Sequence, residues 1–155
     1  MHLVILFKIF IGGLMRNFIP FFLIVIALFI FSCGKTEVKK ISEESIIATE
    51  AFSTLERIKE AYTNRDIRSI EKFSTKDGFK KIVGSMKTFD SVELTLNPVL
   101  VEIENERVSV NVSWKGTWKK EGKTIEERGM AVFILKDRPL KVDDILRSNP
   151  FIYPN

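Results

Sequence analysis

Glu121-Gly122 separates two stretches, 108–118 and 125–135, in which apolar residues recur at alternate positions, interrupted at Gly116, Glu127 and Gly129. No other feature constrains the second half of the chain as strongly. Period two is the repeat of a half-buried strand, and two residues suffice for a hairpin loop. With Glu121-Gly122 as that loop, Trp118 faces Ile125, Val112 faces Ala131, Val110 faces Phe133 and Val108 faces Leu135. Every pair is apolar, whereas a slip of one residue would turn each of these side chains to the opposite face. The same register lays Trp114 over Gly129, where a ring can cover a residue that has no side chain.

A second turn at Asn105-Glu106 pairs Ile103 with Val108, Val101 with Val110 and Val99 with Val112. Upstream the apolar positions change parity to Val92, Leu94 and Leu96, so a bulge is expected at Asn97-Pro98. A last turn over 136–139 is expected to align Leu135 with Leu140 and Phe133 with Val142. Before Phe89 the period is helical. Ile47, Ala51, Leu55, Ile58 and Tyr62 recur at spacings of three and four, predicting one long helix capped by Ser42. Asn64 or Asp66 opens a short second helix with Ile67, Ile70 and Phe73 on one face. Thr75 and Asp77 start a third with Phe79, Ile82, Val83 and Met86 inward, weakened by Gly78 and Gly84. The expected fold class is α+β, with three N-terminal helices packed on a curved four-stranded antiparallel meander.

The N-terminal part obeys different rules. Phe18 to Phe31 is almost wholly apolar and ends in Ser32-Cys33-Gly34, and Cys33 is the single cysteine of the chain. A bilayer-spanning helix takes roughly 18 or more apolar residues, and this run is shorter and contains Pro20. It reads as the core of a signal peptide. Ile30-Phe31-Ser32-Cys33 resembles the lipobox of bacterial lipoproteins, which implies cleavage before Cys33 and acylation of that residue. Met15-Arg16-Asn17 supplies a basic n-region, so translation is expected to begin at Met15. The domain plan is a signal peptide over 1–32, acylated Cys33 and a polar tether over 33–41, and one folded domain over 42–155. Gly34, in place of an aspartate after the cysteine, resembles lipoproteins sorted to the outer membrane, facing the periplasm.

Removal of 1–32 takes away Lys8 and Arg16 and leaves 22 basic side chains against 20 acidic ones. The sequence pI of about 9.2 therefore makes no case for nucleic acid, because the basic residues are interleaved with acids, as in Lys119-Lys120-Glu121. About 120 residues suffice for one core and not for two. With His2 and Cys33 both outside the domain, it has neither imidazole nor thiol, which argues against zinc sites and Ser-His-Asp chemistry. No metal or other cofactor is expected.

Three helices, a long meander, the run Gly129-Met130-Ala131-Val132-Phe133-Ile134-Leu135 and the ending Val142-Asp143-Asp144-Ile145, then Asn149-Pro150-Phe151, resemble the nuclear transport factor 2-like superfamily. That resemblance implies a cone with a pocket between helices and sheet, found in ketosteroid isomerases, SnoaL-like enzymes and non-catalytic binding domains alike. Trp114 and Trp118 lie on the face that would line such a pocket, either stacking on an apolar ligand or filling a tapering core. The register puts Glu127 opposite Gly116 on that face and Asp144 opposite Ala131, each a candidate base or, alternatively, a solvated carboxylate. By strand rise the two stand about 13 Å apart, too far for a glycosidase-like pair. Tyr62 is either a hydrogen-bond donor to a ligand or a core tyrosine. Isomerase-like members pair an acid with such a tyrosine; the Asp-His pair of SnoaL-like members is impossible without histidine.

On the opposite face Met130, Val132 and Ile134 form an apolar strip beside Ser113, Asn111 and Ser109. Two covers are open for it, a second copy of the chain or the C-terminal Phe151-Ile152-Tyr153. The leading expectation is a lipid-anchored envelope domain that binds a small apolar ligand or a protein. An isomerase-like enzyme and a structural homodimer are the alternatives.

Overall fold

The computed structural model describes residues 41–154; the expected signal sequence, Cys33 and most of the tether lie outside the described residues. Helices α1 (Glu43–Thr63), α2 (Ile67–Phe73) and α3 (Lys76–Val83) precede strands β1 (Ser91–Glu104), β2 (Arg107–Lys120), β3 (Lys123–Lys136) and β4 (Lys141–Arg147). The strands form one antiparallel meander in the order β1-β2-β3-β4. This is the α+β architecture expected from the change of period.

Each helix begins on a side-chain cap. Ser42, Asp66 and Thr75 accept hydrogen bonds from the backbone N–H groups of Ser45, Ser69 and Gly78 respectively, satisfying donors that a helix leaves free. The inward face of α1 carries Ala51, Leu55, Ile58 and Tyr62, all buried. Gly78 does more than weaken α3. A Cβ there would lie 2.0 Å from the Val142 carbonyl oxygen, so only glycine lets this helix approach the β4 backbone. The Thr75 N–H donates to the same carbonyl at 2.8 Å.

The β2–β3 register is the expected one throughout, with Trp118 opposite Ile125, Trp114 opposite Gly129 and Val108 opposite Leu135. Glu121 and Gly122 both take positive φ, 52° and 75°, as a two-residue hairpin loop matched to strand twist requires. Two other expectations need correction. In β1 the shift falls between Pro98 and Leu100, so Pro98 and not Val99 faces Val112, and Val99 is left 65% exposed. At the far edge the turn occupies 137–140, one residue later than expected, and Leu135 pairs with Val142. A bulge at Asp143 then advances β4 by one more residue, giving Ile134 opposite Asp144 and Phe133 opposite Ile145.

Asp143, the extra residue, is pinned. Its carboxylate accepts from the Thr75 hydroxyl at 2.9 Å and pairs with Lys136 at 2.7 Å. The Lys136 ammonium first, and then the Thr75 hydroxyl, hold the Asp143 carboxyl below the usual aspartate range against the opposing effect of partial burial.

Candidate functional site

The concave side of the sheet, where a ligand cavity was expected, is built from aromatic rings. Trp118 of β2 and Tyr62 of α1 are fully buried, and Trp114 is nearly so. The Trp118 indole N–H donates to the Tyr62 hydroxyl at 3.3 Å. Its ring meets Trp114 edge-on with centroids 6.4 Å apart. The Trp114 indole N–H is spent on the Ser148 carbonyl at 2.9 Å. Phe151 enters from the C-terminal segment, with its ring 4.9 Å from Tyr62 and 6.0 Å from Phe133, and Phe89 stands 5.6 Å from Tyr62. Such tilted and edge-to-face pairs are the favoured aromatic geometries. Burial raises the Tyr62 phenol above its ordinary value, outweighing the Trp118 hydrogen bond and the Arg65 charge. The phenol is therefore neutral at physiological pH.

Glu127 does stand opposite Gly116, but it is exposed. The space over Gly116 is taken by the Trp118 ring, whose nearest atom would lie 2.2 Å from a Cβ at that position. Asp144 is displaced further from expectation. The bulge moves it from Ala131 to Ile134, which is buried yet outside the main core cluster, so Asp144 lies on the convex side of the sheet. There its carboxylate pairs with Lys81 of α3 at 2.5 Å and accepts from the Ile145 N–H at 2.7 Å. Seven residues of β3 separate Glu127 from the partner of Asp144, about 23 Å of strand. Tyr62, Trp114 and Trp118 are thus brought together, and neither acid joins them.

On the convex face Met130 is 40% exposed and Val132 half-buried, whereas Ile134 is buried at 3% exposure beside the β4 bulge. Ile134 therefore does not belong to the exposed strip expected from alternation. Two residues missed by that reading join it. Leu100, Asn111, Val132 and Leu146 are successive register partners across all four strands, and Leu100 and Leu146 are 51% and 39% exposed. The C-terminal segment does not cover this row, because Phe151 is buried in the core on the other side and Tyr153 packs against that core.

No protein-family model matches the chain, and no curated protein matches it. Among solved structures it is similar to a nuclear transport factor 2 (NTF2-like) superfamily protein from Salmonella enterica subsp. enterica serovar Typhimurium str. LT2. The identity is 14% and the TM-score 0.60, and the match covers 69% of this chain and 93% of that one. The three-helix and meander architecture and this structural likeness together establish that the described residues have the nuclear transport factor 2-like fold.

Proposed function

We propose that the chain is a lipid-anchored, non-catalytic binding module of the bacterial cell envelope. The observation that carries this reading is the occupied interior. An isomerase-like site needs an open cavity in which an acid faces a hydrogen-bonding partner and the reacting atoms. Here Trp118, Tyr62 and Phe151 fill that volume, while Glu127 and Asp144 lie outside it. Binding then falls to the outer surfaces of the domain. The anchor is read from Ser32-Cys33. Acyl chains contribute roughly 0.8 kcal/mol per buried methylene, so two or more hold a protein firmly to a membrane. Gly34 favours the outer membrane, facing the periplasm.

The test is to express the full chain in a bacterial host fed an alkyne fatty acid, then fractionate the cells. The wild type should be labelled and membrane-bound, and Cys33→Ala unlabelled and released. Retention of Cys33→Ala in the membrane would refute the anchor, and a turnover that depended on Glu127 or Asp144 would refute the non-catalytic role.

The row Leu100, Val132 and Leu146 favours one further reading, self-association through the convex face. Light scattering on residues 34–155 should then give a dimer that Val132→Glu and Leu146→Glu dissolve. A monomeric wild type would remove this reading. Ile134→Glu is unsuited to the purpose, because it would place a charge at a buried position.

A further inference from the structure

A groove of about 930 Å³ runs along the N-terminal half of α1, bounded by the end of α2 and the turn between β3 and β4. It is separate from the aromatic interior, since none of Tyr62, Trp114 and Trp118 lines it. Its apolar lining comes from Ile41, Ile46, Phe73, Pro139 and Leu140, and Ile41 and Ile46 remain 69% and 57% exposed. Its volume falls in the range of small-molecule sites, roughly 300–1,000 Å³.

The charges around this lining are unbalanced. Arg57 and Lys72 both stand over the Phe73 ring, at 5.1 and 5.4 Å from its centroid, and Lys141 lines the same groove. Ser53 accepts a hydrogen bond from Arg57 Nε at 3.4 Å and so helps orient the guanidinium. Among the described residues none of these three cations forms an ion pair. The lining carboxylate, Glu50, is already engaged. It accepts from the Leu140 N–H at 2.7 Å and lies 4.0 Å from Arg138.

An occupant matched to this groove has an apolar body and an anionic head. Ile41, where the tether ends, is already part of the wall, and the tether before it does not qualify as the occupant, because Lys35, Lys39 and Lys40 outnumber Glu37 and repeat the sign of the rim. A concave site of single-ligand volume also suits one molecule better than the plane of a membrane. We propose that the groove binds a free long-chain fatty-acid carboxylate, its alkyl chain along Ile46, Phe73 and Leu140 and its carboxylate between Arg57, Lys72 and Lys141. This names a ligand for the binding module and rests on that reading.

The test uses the full-length acylated protein in phosphatidylcholine nanodiscs, a diazirine-bearing hexadecanoate, and peptide mapping of the crosslinks. Labelling is expected on α1 near Ile46 and on the segment around Leu140. Thr49→Trp, at an exposed lining position, should block it. Arg57→Gln with Lys72→Gln should lower it by about tenfold, equivalent to roughly 1.4 kcal/mol, and the methyl ester of the probe should label as weakly. Circular dichroism checks that these surface variants remain folded. Equal labelling by acid and ester, or labelling indifferent to all three substitutions, would overturn the assignment. Labelling by diazirine phosphatidylglycerol alone would overturn it in favour of a membrane lipid. Absence of labelling with the protein still held in the disc by Cys33 would overturn the groove assignment alone, whereas conversion of the probe to a new compound would overturn the non-catalytic reading with it.

Discussion

Replacing Gly116 with Ala tests whether the interior is as full as its geometry implies. A Cβ at this position would lie 2.2, 2.4 and 3.0 Å from Cη2, Cζ3 and Cζ2 of Trp118. Carbon atoms in contact prefer about 3.5–4.0 Å, so the indole must retreat by more than about 1 Å. Its hydrogen bond to Tyr62 and its edge-on packing against Trp114 oppose that retreat. Over-packing of this kind costs about 1–3 kcal/mol, while the stiffer unfolded chain of the alanine variant offsets about 0.4–1 kcal/mol. The expected net loss is about 1–2 kcal/mol, a sizeable share of the 5–15 kcal/mol typical of a domain. Urea unfolding of residues 34–155, followed by far-ultraviolet circular dichroism, should show a lower midpoint at unchanged slope. Repeating the substitution in a Trp118→Phe background removes the ring atoms that clash, so its cost there should fall to near zero. A neutral Gly116→Ala, or costs that simply add in the double variant, would mean that the interior has room and that the filled-cone argument is wrong.

Asp143→Asn should lower stability at neutral pH and flatten the acid limb. The depressed folded-state pKa of Asp143 gives a contribution that is present above the unfolded value near 3.9 and is lost as pH falls through the folded one; an unchanged acid limb would contradict the Lys136 and Thr75 contacts. Thr75→Ala removes both the bond to Asp143 and the cap on Gly78 N and should cost about 0.5–2 kcal/mol in the same unfolding assay. Phe151→Ala should cost about 3–5 kcal/mol and leave an apolar void; added benzene should raise the melting temperature of that variant and not of the wild type. Glu127→Gln, at an exposed position, should shift stability by no more than about 0.5 kcal/mol.

How much of this was legible depended on whether a local pattern settled the geometry. The β2–β3 hairpin could be read to the residue, because Glu121-Gly122 allows a loop of only two positions and the pairs that 108–118 makes on one face, Glu127 with Gly116 and Trp114 with Gly129 apart, are apolar on both sides. The helices were legible from their spacing and from Ser42, Asp66 and Thr75, residues whose side chains can cap a helix. Gly78 was misjudged, since its value lies in closeness to Val142, a contact 64 residues away that no helix propensity contains. The β4 register failed for a similar reason. Val142, Asp144 and Leu146 alternate as well as Val142 and Ile145 pack, and the choice is made by Thr75 and Lys136 holding Asp143 from two other elements. The groove left no signal either, because its lining is drawn from α1, α2 and a turn at positions that look like ordinary solvated surface.

That single extra residue in β4 has consequences on both faces of the sheet. Strict alternation after Val142 would direct Asp144 and Leu146 inward and Ile145 outward. With Asp143 set apart as a bulge the parity reverses. Ile145 becomes buried in the core beside Phe133, Asp144 turns to the convex side where Lys81 neutralises it, and Leu146 joins Val132 and Leu100 in the apolar row. The same irregularity thus carries Asp144 off the core-facing side of the sheet and adds Leu146 to the apolar row on the other. A bulge held by a charged pair and a threonine hydroxyl is difficult to attribute to chance slippage, because a β-strand gives up ladder hydrogen bonds to accommodate it. Its effect is a β4 strand that gives Ile145 to the core and Asp144 and Leu146 to the opposite face, with Thr75 and Lys136 fixing the point at which the parity changes.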